Sequence, residues 1–160
     1  MSTIGFDTSN YTTSTAWTDG KTDINVRQIL YVKDGERGIR QSDGVFQHMK
    51  LMPVMYEKLS EQIDFKDVKA VGVSTRPRCV EGSYMPVFLA GEGYAKVVAN
   101  TLGVPLYEFS HQDGHIMAGI YSSGSFELLE NDFISVHLSG GTTEILKSRY
   151  NGFYFDNEII

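Results

Sequence analysis

Ile4-Gly5-Phe6-Asp7-Thr8-Ser9 and, far downstream, Ser135-Val136-His137-Leu138-Ser139-Gly140-Gly141-Thr142 are two versions of one pattern. In each, a short strand runs into a turn of hydroxyl-bearing residues, and another strand follows. After the first copy, residues 12–17 are rich in β-branched side chains and read as a strand. A third strand is expected over about 24–33, so the chain opens as a meander. After the second copy, residues 143–147 continue as a strand. Asn151-Gly152 then signals a hairpin of the type whose two central residues both need positive φ, and a last strand returns over 153–160. The echo divides the chain into residues 1–131, one half, and residues 132–160, the first strands of a second, truncated half.

Between the copies, helical and strand patterns alternate. Ser42 or Asp43 can cap a helix. Val45, Met49, Met52, Tyr56 and Leu59 recur at spacings of four and three, the stripe of an amphipathic helix. Pro53 lies inside it and lacks a backbone donor, which predicts a kink or break. A strand is expected at 68–75, a loop at 76–84, and a helix from about 86 to 102 that ends at Gly103. Gly91 and Gly93 weaken that helix and point to close packing. A strand at 105–109 and a helix from about 112 to 121 follow, then a connector over 122–131. This order makes a mixed sheet flanked by helices, and the fold class is a ribonuclease-H-like α/β domain.

The 160 residues are 41% hydrophobic and 21% charged, the composition of an ordinary globular protein. No apolar run reaches the ~20 residues that span a bilayer. The N-terminus has no basic segment leading into an apolar core, and Cys79 is the single cysteine, so an internal disulfide framework is excluded. These features point to the cytoplasm, with no membrane partner. The net charge of −6 opposes autonomous nucleic-acid binding, which needs a basic excess.

Three segments can carry chemistry. His111 and His115 stand at i and i+4 in Ser110-His111-Gln112-Asp113-Gly114-His115. On a helix that starts at Ser110 or His111, both imidazoles leave one face and can reach one transition metal. Two unrelated helix histidines near a cap have the same spacing. Ser139-Gly140-Gly141-Thr142-Thr143 can turn backbone N–H groups toward an anion, or be a plain hairpin turn. In Asp7-Thr8-Ser9-Asn10, the carboxylate can hold Mg²⁺ and through it nucleotide phosphates; an Asx turn is the local alternative. His48 reads as a packing or cleft histidine, and His137 as a satisfied strand histidine. Cys79 lies beside Arg76 and Arg78, which favour its thiolate, but has no base partner in the local sequence.

Taken together, these segments resemble the TsaD/Gcp family, the glycoprotease-like threonylcarbamoyl-adenosine tRNA transferases, over nearly the whole chain. The resemblance rests on Ile4 to Ser9, His48 ahead of Leu51-Met52-Pro53-Val54, and the strand Val71 to Thr75. It continues through Gly93-Tyr94-Ala95-Lys96, Leu102-Gly103-Val104-Pro105-Leu106, His111-Gln112-Asp113-Gly114-His115-Ile116 and Val136 to Thr143. It implies the actin/Hsp70/sugar-kinase-like (ASKHA) architecture of two ribonuclease-H-like halves. It implies a divalent transition metal, iron or zinc, on His111 and His115, and Mg with ATP or an acyl-adenylate as further ligands. It assigns the nucleotide or acyl-adenylate to Leu138, Ser139, Gly140, Gly141 and Thr142, to which the local reading of the first turn adds Asp7, Thr8 and Ser9. The implied reaction moves threonylcarbamoyl from its adenylate to an adenosine of tRNA, with tRNA bound only alongside partner subunits, in a homodimer or a TsaB-like heterodimer. A non-catalytic scaffold of the TsaB type is the alternative. Arg76 to Gly82 stands where the family usually has a Gly-Pro-Gly loop, Thr142 where it often has His or Asn, and the third metal ligand belongs to the family's C-terminal half. These departures suit a divergent paralogue.

Overall fold

Ile4 and Phe6 alternate with more exposed residues along β1 (Ser2–Asp7), so one face of this strand is apolar. β1 pairs antiparallel with β2 (Thr12–Thr18), which pairs with β3 (Asp23–Ile29). On its other edge β1 runs parallel to β4 (Val68–Arg76), and β4 runs parallel to β5 (Leu106–Ser110). The mixed sheet therefore has the order β3-β2-β1-β4-β5. The computed structural model describes residues 1–138 and 143–160.

Two helices cover the apolar face: α1 (Gln41–Ser60) and α2 (Phe88–Leu102). Met52 and Leu59 from α1, and Ala95 and Ala99 from α2, close on Ile4, Phe6, Val71 and Val73. Each large side chain buried there contributes roughly 1.5–3 kcal/mol as an upper figure. The buried stripe of α1 is Gly44, His48, Met52, Met55 and Leu59, rotated from the expected one, and Met49 is exposed. Gly44 decides this phase. A Cβ there would stand 2.8 Å from Val87 Cγ1, so the contact with the start of α2 admits only glycine without rearrangement.

Several expectations are corrected. Helix α1 starts at Gln41 behind Arg40, without a side-chain cap. Pro53 does not break it, and the helix runs unbroken from Gln41 to Ser60. A helical proline removes the donor that would serve the carbonyl four residues back, here that of Met49. That carbonyl accepts instead from the Tyr94 hydroxyl of α2 at 3.0 Å. Gly91 is closely packed, with a Cβ position 2.8 Å from Thr8 Oγ1, whereas Gly93 faces open space. Gly103 ends α2 at φ 67°, as expected of a left-handed cap.

The chain then forms α3 (His111–Ser123), a short 3₁₀ turn at Phe126–Glu130, and a second sheet. This sheet is the antiparallel meander β6 (Phe133–Leu138), β7 (Thr143–Tyr150) and β8 (Phe155–Ile159). Helix α3 packs Ile116 and Ile120 against Leu146 and Phe155 of this sheet. Four residues, not two, join β7 to β8, and Asn151 does not take positive φ. Its side-chain oxygen accepts the backbone N–H groups of Phe153 and Tyr154 at 3.1 and 2.9 Å, an Asx-type turn that needs only Gly152 at φ 96°.

Candidate metal and nucleotide site

The carboxyl ends of β1, β4 and β5 lie side by side, the edge where open α/β sheets take ligands. β1 ends at Asp7, β4 at Arg76 and β5 at Ser110, with His111 the first residue of α3. The helix begins there for a local reason. Ser110 Oγ accepts from the Asp113 N–H at 3.0 Å, and an Asp113 carboxylate oxygen accepts from the Ser110 N–H at 3.1 Å, a capping box. This cap sets the phase of the first two turns, so His111 and His115 leave the same face.

The two rings converge. Their Nε2 atoms are 2.8 Å apart and their centroids 4.3 Å apart. Behind them, Asp7 Oδ2 is 2.8 Å from His111 Nδ1. A carboxylate can only accept there, so His111 carries its proton on Nδ1 and presents a lone pair at Nε2. His115 then donates its Nε2–H to that lone pair. Burial works to raise the Asp7 pKa. The hydrogen bond from His111 and, whenever its ring is protonated, its positive charge outweigh it, aided by the Ser74 side chain and the Ser9 backbone, and lower the pKa to about 2. Burial lowers the His115 pKa, as do the neighbouring His111 and His137, which favours the neutral ring that metals require.

Two bonds of 2.0–2.1 Å to one tetrahedral ion would hold the nitrogens roughly 3.4 Å apart. To reach that geometry from 2.8 Å the imidazoles part by about half an ångström and His115 moves its proton from Nε2 to Nδ1, so the pair and its supporting carboxylate fit such an ion. Among the described residues, no group of three or more His, Cys, Asp or Glu side chains is arranged to hold a metal. A third ligand must come from elsewhere. Neither His48 nor Asp113 supplies it: His48 is fully buried with Nδ1 2.7 Å from Thr13 Oγ1, and Asp113 is engaged in the cap.

The other expected ligand residues divide. Asp7 Oδ1 accepts from the Ser9 N–H at 2.8 Å, the Asx turn, while Oδ2 faces His111. Each oxygen thus already has a partner within the protein. Thr8 is fully buried. Its hydroxyl donates to the Val87 carbonyl at 2.9 Å and accepts from the Gly91 N–H at 3.0 Å, so it clamps β1 to α2 rather than facing the cleft. Leu138 ends β6 with its side chain exposed, opposite Thr143. Ser139, Gly140, Gly141 and Thr142 lie outside the described residues.

The contacts of Glu144 and His137 beside the site escape local sequence reasoning. His137 lies with its ring centroid 5.5 Å from that of His115. Glu144, a buried carboxylate on β7, accepts from Arg78 at 2.5 Å and from Gln112 at 3.0 Å, with His137 Nδ1 at 3.7 Å. One signal was legible: strand alternation places Glu144 on the inward face with Leu146 and Ser148, where a carboxylate requires a cation.

The family model of tRNA N6-adenosine threonylcarbamoyltransferase (TsaD) matches residues 35–158. The chain belongs to the TsaD family. It is 32% identical over 111 residues to the tRNA N6-adenosine threonylcarbamoyltransferase of Christiangramia forsetii, covering 69% of this chain and 30% of that protein. It is 28% identical over 144 residues to that of Pyrobaculum calidifontis, covering 89% and 40%. The chain thus spans well under half the length of these relatives. In fold it is similar to YeaZ from Pseudomonas aeruginosa, with a TM-score of 0.57 at 11% identity over 99% of this chain and 64% of that one. It is also similar to EutJ from Carboxydothermus hydrogenoformans, with a TM-score of 0.52 at 17% identity over 99% and 52%. The fold is the ribonuclease-H-like, actin/Hsp70/sugar-kinase-like architecture. Among the described residues, no helix is long and apolar enough to cross a membrane.

Proposed function

We propose that this chain is the metal- and nucleotide-binding part of a tRNA N6-threonylcarbamoyladenosine transferase-like protein. The observation that carries the reading is the convergence of His111 and His115 Nε2 at 2.8 Å, with Asp7 behind His111. Membership of the TsaD family supports the reaction class. When bound, a divalent iron or zinc ion supplies Lewis-acid polarisation of a carbonyl. Asp7 fixes the tautomer and orientation of His111. Arg78 and Gln112 hold Glu144, and with it the start of β7, beside the imidazoles. The segment Ser139-Gly140-Gly141-Thr142 is assigned to the nucleotide or acyl-adenylate. Transfer to tRNA requires the remaining family length and partner subunits. The 160-residue chain alone binds metal weakly and is inactive.

A scaffold of the TsaB type is the second reading, favoured by the likeness in fold to YeaZ. The converged histidine pair favours the first. Metal content after reconstitution separates them. Wild type retains iron or zinc in stoichiometric amounts at high metal concentration, and His111→Ala loses it. Equal stoichiometry in the two rejects the ligand assignment.

A further inference from the structure

Among the described residues, every lysine is exposed, as are Arg27, Arg37, Arg40 and Arg149. Only Arg76 and Arg78 are partly buried, and Arg78 pairs with Glu144. Arg76 has no carboxylate within salt-bridge distance among the described residues, and the four remaining positions, Ser139 to Thr142, carry no acid. Among the described residues its guanidinium donates to neutral groups only, the Thr75 hydroxyl at 3.2 Å and the Cys79 sulfur at 3.8 Å. Asp7 is engaged with His111 and the Ser9 N–H and forms no ion pair with Arg76. A guanidinium keeps its charge at all ordinary pH values and has five donors. Withdrawing it partly from water without an anion is unfavourable.

Its place indicates which anion. Arg76 is the last residue of β4 and pairs in register with Ser110, the residue before His111. Its backbone is therefore one strand spacing, ~4.8 Å, from the start of the histidine helix. We infer that Arg76 anchors the phosphate of the nucleotide, through the paired N–H donors that suit phosphate oxygens, at the sheet edge that carries the imidazoles. This rests on the nucleotide reading above and deepens it by naming the residue that selects a phosphorylated nucleoside over a bare one.

The test compares wild type, Arg76→Ala and Arg76→Lys by calorimetry with AMP, adenosine, inorganic pyrophosphate and a short single-stranded RNA. Circular dichroism checks folding, and the lysine variant keeps the test open should the alanine variant fail to fold. Wild type is expected to bind AMP more tightly than adenosine. Arg76→Ala should lose ~10-fold or more in AMP affinity with adenosine unchanged, and Arg76→Lys should recover part of it. Equal binding of AMP and adenosine by wild type, or a preference that survives Arg76→Ala, overturns the assignment and leaves the nucleotide reading standing. Pyrophosphate binding that depends on Arg76, without any adenosine binding, keeps the anion site and rejects the nucleotide. Loss of RNA binding alone in Arg76→Ala overturns the proposal in favour of an RNA backbone contact, and no binding of AMP or pyrophosphate by wild type overturns it outright.

Discussion

Asp7 and His48 show how one residue's surroundings set its chemistry. Asp7 is expected to act on the metal through His111, since a carboxylate on the far ring nitrogen fixes the tautomer and makes the ligand more basic. Asp7→Asn should therefore weaken metal binding about 10–100-fold while the fold persists, as read by Co²⁺ titration and circular dichroism. Unchanged affinity would remove Asp7 from the site. His48 is the opposite case. It is fully buried, its Nε2 has no hydrogen-bond partner among the described residues, and burial lowers its pKa to about 4. The unfolded chain takes up a proton near pH 6.5, whereas the folded chain resists it down to about pH 4. His48 thus adds stability that is present above pH 6.5 and lost as the pH falls toward 4, by up to roughly 3 kcal/mol. Urea melts from pH 7 to pH 4.5 should show this loss in wild type and a shallower one in His48→Gln. Parallel slopes would place the titration elsewhere.

At the scale of the element, α1 continues past Pro53 because its neighbour completes it. The Tyr94 hydroxyl of α2 meets the Met49 carbonyl that the proline leaves without a helical donor. Tyr94→Phe should cost about 1 kcal/mol in chemical denaturation. The same change in a Pro53→Ala background should cost clearly less, because an alanine N–H can serve that carbonyl. Additive effects would show that the hydroxyl has no such role. Helix α3 is locally specified, since Ser110 and Asp113 cap each other within one turn. That is why the shared face of His111 and His115 was readable from spacing. The stripe of α1 was less so, because Gly44 against Val87 is a contact between helices and turns the buried face away from the one that apolar periodicity marks.

Across the whole molecule, the two sheets meet at α3, where Glu144 joins β7 to Arg78 and Gln112. Removing the cation strands a buried carboxylate, whereas removing the charge does not. Arg78→Ala should be the more destabilising, by about 1–2 kcal/mol because Arg78 is half-exposed. Glu144→Gln should cost less, and the double variant should recover part of the Arg78→Ala loss. Hydrogen exchange should accelerate mainly in β6 to β8, and uniform acceleration would deny the junction its local role. The strand-strand-strand opening, its echo at β6 to β8, the glycine stop at Gly103 and the capped histidine helix were all determined by the sequence alone, because periodicity, turn chemistry and caps act over a few residues. Which charge meets which was decided only by the tertiary structure. Asp7 reaches His111 across 104 positions and Arg78 reaches Glu144 across 66, because strand order and register bring those ends together. Arg76 is left without a carboxylate by the same register. Such distant partnerships leave no periodic trace in the chain, since they arise from how whole sheets and helices pack.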